Sequence, residues 1–137
     1  MDKNKVLEFI KSQTLAVLST ATKQGIIESA VMAIAVTDNW EVLMSSEPNT
    51  RKIFNLKNNP YTSLLVGGLQ SPSIQLDGTS VVLTDSEGEE IRKQIIAIHP
   101  NTAEYLNPPI AYIKFIPNWL RYSDFSQEPP IIHEFII

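Results

Sequence analysis

The stretch Met44-Ser45-Ser46-Glu47-Pro48-Asn49-Thr50-Arg51-Lys52 holds the residues whose types and spacing could do chemistry. An apolar run ends in hydroxyl residues, a loop containing proline follows, and two adjacent cations stand where a helix is expected to open. The first N–H groups of a helix lack partners within it, so they form a ready site for an anion. Cations at that end oppose the helix dipole, at a cost of roughly a few tenths of a kcal/mol each. A phosphate dianion reverses that balance. Arg51 would grip it through two parallel hydrogen bonds, Lys52 would act as a point charge, and Ser46 or Thr50 would donate from a hydroxyl. The competing reading is an ordinary solvated Arg-Lys pair, and this stretch alone leaves both open.

Other reaction classes find few residues to work with. The absence of cysteine removes disulfides, thiolate metal sites, iron–sulfur clusters and cysteine nucleophiles. The two histidines, His99 and His133, are far apart in sequence and lack zinc spacing. His99 precedes Pro100 at an expected helix end, where a charge–dipole role suffices for it. Asp85, Glu87, Glu89 and Glu90 cluster where a helix should begin, and acids are favoured there for structural reasons. There is no glycine-rich phosphate loop and no nucleophile elbow. A net charge of −4 gives no global pull toward nucleic acid or an anionic membrane. Residues 1–12 mix charges among apolar residues, unlike a signal peptide, and the longest apolar stretch, 30–36, is too short to span a bilayer. A cytoplasmic protein with no nucleic-acid or membrane partner is expected.

The elements that must position the cations follow from periodicity and punctuation. One domain, 1–137, is expected. Apolar residues at helical spacing predict a short helix ending near Ser12. Residues 14–20 read as a strand buried on both faces, Gln24-Gly25 as a turn, and 26–36 as a second strand rich in small apolar residues. Thr37-Asp38-Asn39 has hairpin chemistry, and 40–45 returns as a third strand. Residues 51–57 fit a helix with Ile53, Phe54 and Leu56 turned inward, stopped by Asn58-Asn59-Pro60. Residues 61–66 form a fourth strand ended by Gly67-Gly68, and 73–84 a long fifth in which Gly78 signals a bulge or bend. Ser86 and Glu89 give a capping-box pattern for a helix over 87–98. Residues 110–116 and 119–124 read as the last strands. The apolar tail, 128–137, must pack on its own barrel or on a partner subunit. Short strands without βαβ alternation predict an antiparallel barrel with accessory helices.

Order and spacing together then carry a likeness. Leu15-Ala16-Val17-Leu18-Ser19-Thr20, the small-residue strand 29–34, Val42-Leu43-Met44-Ser45-Ser46 and Thr50-Arg51-Lys52-Ile53 form its first half. Asn55-Leu56, Asn59-Pro60, Ile74-Gln75-Leu76-Asp77-Gly78-Thr79 and Trp119-Leu120-Arg121-Tyr122 complete it. Over nearly the whole chain this resembles the pyridoxamine-phosphate-oxidase-like flavin-binding family. The resemblance implies a mainly β fold, the FMN-binding split β-barrel (antiparallel, Greek-key) with accessory helices. It also implies a homodimer holding FMN in two clefts at the subunit interface, and a flavin-dependent oxidoreductase acting on a small-molecule substrate. By the same resemblance Thr50, Arg51 and Lys52 match the phosphate grip. Ala30, Val31, Met32 and Ala33 match the strand whose backbone lines the isoalloxazine ring. Met44, Ser45 and Ser46 match the strand end beside the ribityl chain and ring. Gln75 sits where a glutamine approaches the flavin from the dimer mate, and Trp119 and Arg121 lie in the late segment that closes the site.

Each position also has an ordinary structural reading: core for Ala30 to Ala33, a solvent-facing residue for Gln75, packing for Trp119. The end of the chain lacks the arginine-containing substrate segment of the vitamin oxidases. Glu28 stands where a basic phosphate contact would be expected, a departure that would weaken flavin affinity or favour another cofactor. A non-catalytic flavin, deazaflavin or haem carrier on the same dimeric barrel is the alternative, and a degenerate site serving only dimerisation is a third.

Overall fold

A computed structural model describes residues 2–68 and 70–137, and Asp85 only by its backbone, so the first carboxylate of the acidic cluster lies outside the described side chains. Burial alternates along Leu15–Ala21 (β1) and most of Ile27–Ala33 (β2), which pair antiparallel across Gly25. That glycine has φ +87°, a conformation it takes without strain. The single strand expected over 26–36 is divided. The Ile34 N–H makes a last bond of the β1 ladder, to the Thr14 carbonyl (2.9 Å), and Ala35–Val36 (β3) then leaves to pair with Val42–Ser46 (β4). In the loop between them the left-handed residue is Trp40 (φ +69°), not Asp38 or Asn39. Thr37 Oγ1 fixes this loop by accepting from the Asn39 and Glu41 N–H groups, each at 3.2 Å.

Tyr61–Gly67 (β5), Ser73–Leu83 (β6), Ala111–Asp124 (β7) and Ile131–Ile136 (β8) complete the sheet. Its order is β2-β1-β5-β6-β7-β4-β3, with β8 added to β7 and every described pairing antiparallel. Because β2 at one end and β3 at the other are consecutive pieces of chain, the sheet curls back on itself as a split barrel. The apolar tail therefore packs on its own barrel, as β8.

The two last strands expected over 110–116 and 119–124 are one strand. It continues past Pro117 because β6 places Gly78 opposite, at a register shift between Asp77 and Gly78. A Cβ on Gly78 would lie 2.1 Å from the Ile116 carbonyl oxygen and 2.8 Å from Pro117 Cα, both backbone atoms that cannot swing away. Gly78→Ala should therefore cost roughly 2 kcal/mol or more. A urea midpoint lowered at constant m would show it, whereas an unchanged midpoint would mean that the strands part there freely.

Inside the barrel Ala16, Leu18, Met32, Met44, Leu64, Val66, Ile74, Leu76, Ile113, Phe115 and Leu120 form the main core. Helix α1 (Lys3–Lys11) contributes Val6 and Ile10 to it, and α2 (Arg51–Asn58) contributes Ile53 and Leu56. Phe54, expected inward, is exposed. A second cluster forms outside the sheet, where α3 (Asp85–Ile98) lays Ile91 and Ile95 over Ala35, Leu43 and Tyr112. The capping box does not form. Thr84 is the N-cap, without a side-chain cap bond, and Ser86 already lies inside the helix.

Among the described residues, no helix covers the outer face of β2, β1, β5 and β6 in this way. β1 is thus buried on its inner face alone, with Leu15 58% exposed. At the far end of β7, Ser126 donates to the Asp124 carboxylate from its hydroxyl (2.6 Å) and its backbone N–H (3.0 Å). These bonds hold the Asp124 pKa below the ordinary aspartate value. A depressed carboxylate stabilises the fold above its unfolded pKa and loses that contribution as pH falls through its folded one. Asp124→Asn should flatten the acid limb of a plot of urea midpoint against pH. An identical limb in both proteins would deny Asp124 that role.

Candidate functional site

The β4–α2 junction brings four of the expected residues together. β4 ends at Ser46, the loop crosses Pro48, and Thr50 caps α2 in an extended conformation without a side-chain cap bond. Ser46 Oγ and Thr50 Oγ1 lie 3.1 Å apart, and each can donate to the Glu47 carbonyl at 3.1 Å. Arg51 and Lys52 follow and line a cleft of about 310 Å³ with Thr50, Glu28, Ser29 and Ala30 of β2. The expected phosphate grip and one end of the small-residue strand therefore face the same space.

An anion already lies there. Arg51 Nη1 donates to Glu28 Oε2 at 2.7 Å, and Asn55 Nδ2 donates to Glu28 Oε1 at 2.8 Å. The Asn55 amide also reaches Thr20 Oγ1 at 3.1 Å, so a buried side chain of α2 fixes the carboxylate against β1. The Arg51 side chain is 86% exposed and that of Glu28 only 24%, so the carboxylate is the anchored member of the pair. Asn55 carries an architectural role that the sequence pattern alone does not announce.

The remaining expected residues divide. On β2, Met32 turns into the core, Val31 points out to solvent at 69% exposure, and Ala33 faces a second pocket. That pocket, about 490 Å³, is also lined by Met44 and Ser45 and is closed by the end of α3 and the 3-10 turn Pro100–Tyr105. Met44 is 1% exposed, so it serves mainly as core. Gln75, Trp119 and Arg121 are not brought to either space. In the strand order they stand three and four strands from β2. Arg121 instead pairs with Glu134 of β8 at 3.4 Å.

Those three residues share a surface with the bare outer face. Cross-strand register runs Val31–Val17–Leu65–Gln75–Arg121, with Ser29–Ser19–Ser63–Asp77–Trp119 beside it. The row begins apolar, with Val31 at 69% and Leu65 at 43% exposed, and becomes polar toward β7. Among the described residues no group of three or more histidines and acids is placed to hold a metal ion. No described helix is long and apolar enough to cross a membrane.

Comparisons extend this picture. The family model for pyridoxamine 5'-phosphate oxidase matches residues 3–124. No curated protein matches. Among solved structures, the general stress protein 26 of Bacillus anthracis superposes with a TM-score of 0.74 at 22% identity, covering 97% of this chain and 98% of that one. A pyridoxamine 5'-phosphate oxidase-related, FMN binding protein of Nostoc punctiforme gives 0.67 at 10% identity, covering 90% and 87%. A heme binding protein of Mycobacterium smegmatis gives 0.76 at 11% identity, where 96% of this chain covers 56% of the other. Likenesses at such identities establish the split-barrel fold.

Proposed function

Because the chain belongs to the pyridoxamine 5'-phosphate oxidase family, we propose that it is an FMN-binding flavoprotein, a cytoplasmic homodimer acting as an oxidoreductase on a small molecule. The observation that carries this reading is the cleft where Arg51 and Lys52, at the uncapped start of α2, face the small residues of β2. The fit can be judged from Glu28. Its carboxylate sits on Arg51 at 2.7 Å, so the cleft already receives anionic oxygens at hydrogen-bond distance. A phosphate would take that place, with Lys52 adding charge and Thr50 or Ser46 redirecting a hydroxyl from the Glu47 carbonyl.

Bound FMN would supply hydride transfer, which asks no general base of the protein. The chain's own part is to hold the phosphate, to let a flat ring approach at Ala30 and Ala33, and to offer Ser45 as a polar contact. The exposed row from Val31 to Arg121 is the surface a second copy would cover. That copy would bring its Gln75, Trp119 and Arg121 toward the cleft they cannot reach within one chain. The heme binding neighbour motivates the contrary reading. Loading the purified protein in parallel with FMN and with haemin, then desalting, separates them. Retention of FMN and reduction by a nicotinamide donor support an oxidoreductase, whereas retention of haem alone would replace this reading by a haem carrier.

A further inference from the structure

A third pocket, of about 520 Å³, opens between α3 and residues 106–110, and only Pro48 among its lining residues belongs to the β4–α2 junction. Tyr112 of β7 lines it, 6% exposed and packed within the second apolar cluster. Gly88 lets α3 close over the ring, since a Cβ there would come within 2.8 Å of Tyr112 Cδ2. The hydroxyl at the end of that ring meets no hydrogen-bond partner among the described residues. Their one buried side-chain polar atom sealed without a partner is His99 Nε2, so the Tyr112 hydroxyl is not sealed and is reached from the pocket. A buried tyrosine normally finds a partner for its hydroxyl, and here that partner has to enter the pocket.

Two opposite charges line the same space. Arg92 is steadied by the bond from its Nε to the Leu106 carbonyl (3.2 Å). Its Nη1 lies 3.3 Å from Glu89 Oε1, longer than a tight charge-assisted bond, and both side chains are partly exposed. Burial lifts the Tyr112 pKa above the ordinary tyrosine value, Arg92 pulls it down and Glu89 pushes it up, so the hydroxyl stays a donor within reach of both charges. An exposed pair one helical turn apart adds little to stability and leaves the hydroxyl unexplained. A lone carboxylate on Arg92 would lie beside Glu89, and a lone amine on Glu89 would lie beside Arg92. A molecule carrying both signs meets both, and Leu106, Pro109 and Ile110 offer its remainder an apolar wall. We infer that this pocket binds a free α-amino acid with an apolar side chain. Its carboxylate sits on Arg92 and accepts from the Tyr112 hydroxyl, and its ammonium donates to Glu89. None of the lining residues is one assigned to the flavin, so the two sites fill independently.

The probe is 4-fluoro-L-phenylalanine, followed by fluorine NMR on addition of the full-length protein. It should bind the wild type. Tyr112→Phe, which keeps the ring in the core, should weaken it about fivefold, and Arg92→Gln roughly tenfold or more, as for loss of a neutral and of a charged hydrogen bond. The wild type needs no substitution for the sharper comparison. There 3-(4-fluorophenyl)propanoate, which lacks the ammonium, should bind roughly tenfold more weakly than the amino acid. Glu89→Gln should erase that preference. No binding to the wild type, unchanged affinity in Tyr112→Phe, equal affinity of the two probes for the wild type, or displacement of the amino acid by FMN would each overturn the proposal. A protein that binds the amino acid but no flavin would support this site and remove the flavin reading.

Discussion

Replacing Arg51 and Lys52 together by alanine should lower FMN affinity about a hundredfold, with riboflavin affinity nearly unchanged. Two cations at the uncapped end of α2 are the described groups best placed to meet a dianion, and two charge-assisted contacts are together worth that factor. Riboflavin has the ring without the phosphate, so the ratio of the two affinities isolates the phosphate contribution from everything the ring does. Glu28→Gln should move the ratio the other way, raising FMN affinity about tenfold. The carboxylate now on Arg51 is held there by Asn55, and a phosphate must displace it or sit beside a like charge. The exposed ion pair itself contributes little to stability, so this substitution should barely alter the urea midpoint. Flavin-fluorescence titration of the wild type and both variants reads all of this. Equal FMN-to-riboflavin ratios in the three proteins would mean that the phosphate sits elsewhere.

Val31→Glu combined with Leu65→Glu should convert the proposed dimer to a monomer and, with it, abolish stable flavin binding. Both side chains stand on the outer face in one cross-strand row through Val17, and both are exposed in the single chain. A charge placed in the middle of a closing apolar interface stays desolvated and unpaired, which costs several kcal/mol and shifts association by more than a hundredfold. Neither side chain belongs to the main core, so the barrel should keep its circular dichroism spectrum. Sedimentation velocity gives the oligomeric state. A variant that stays dimeric would place the interface on another face. A variant that becomes monomeric yet binds FMN as tightly would show that one chain completes the site alone.

Much of the barrel is legible in the sequence because its signals are local. Glycine at the turn of Gly25, the stop at Asn58-Asn59-Pro60 and the bulge signal of Gly78 each act within a few residues. What escapes reading is decided by partners distant in sequence. The division of 26–36 depends on the change of partner from β1 to β4 after Ile34, and the unity of β7 past Pro117 depends on Gly78 lying opposite it. Thr84, not Ser86, caps α3, because both have the chemistry and β6 decides where the helix can begin.

The candidate site follows the same division. Thr50, Arg51 and Lys52 are neighbours in the chain, so their clustering is visible from the sequence. Glu28 stands out in sequence as an acid where a base is expected, but only the fold shows it bonded to Arg51 and steadied by Asn55. Gln75, Trp119 and Arg121 could be tied to the flavin only through a resemblance, since within one chain the sheet keeps them strands away from the cleft.

The most direct test of the central claim is the visible absorption of the wild-type protein after incubation with FMN and exhaustive desalting, beside the Arg51→Ala/Lys52→Ala variant treated identically. The wild type should keep a flavin spectrum at one FMN per chain and the variant should come through colourless. A colourless wild type, or a variant that keeps as much flavin as the wild type, would contradict the assignment of this cleft to the cofactor's phosphate.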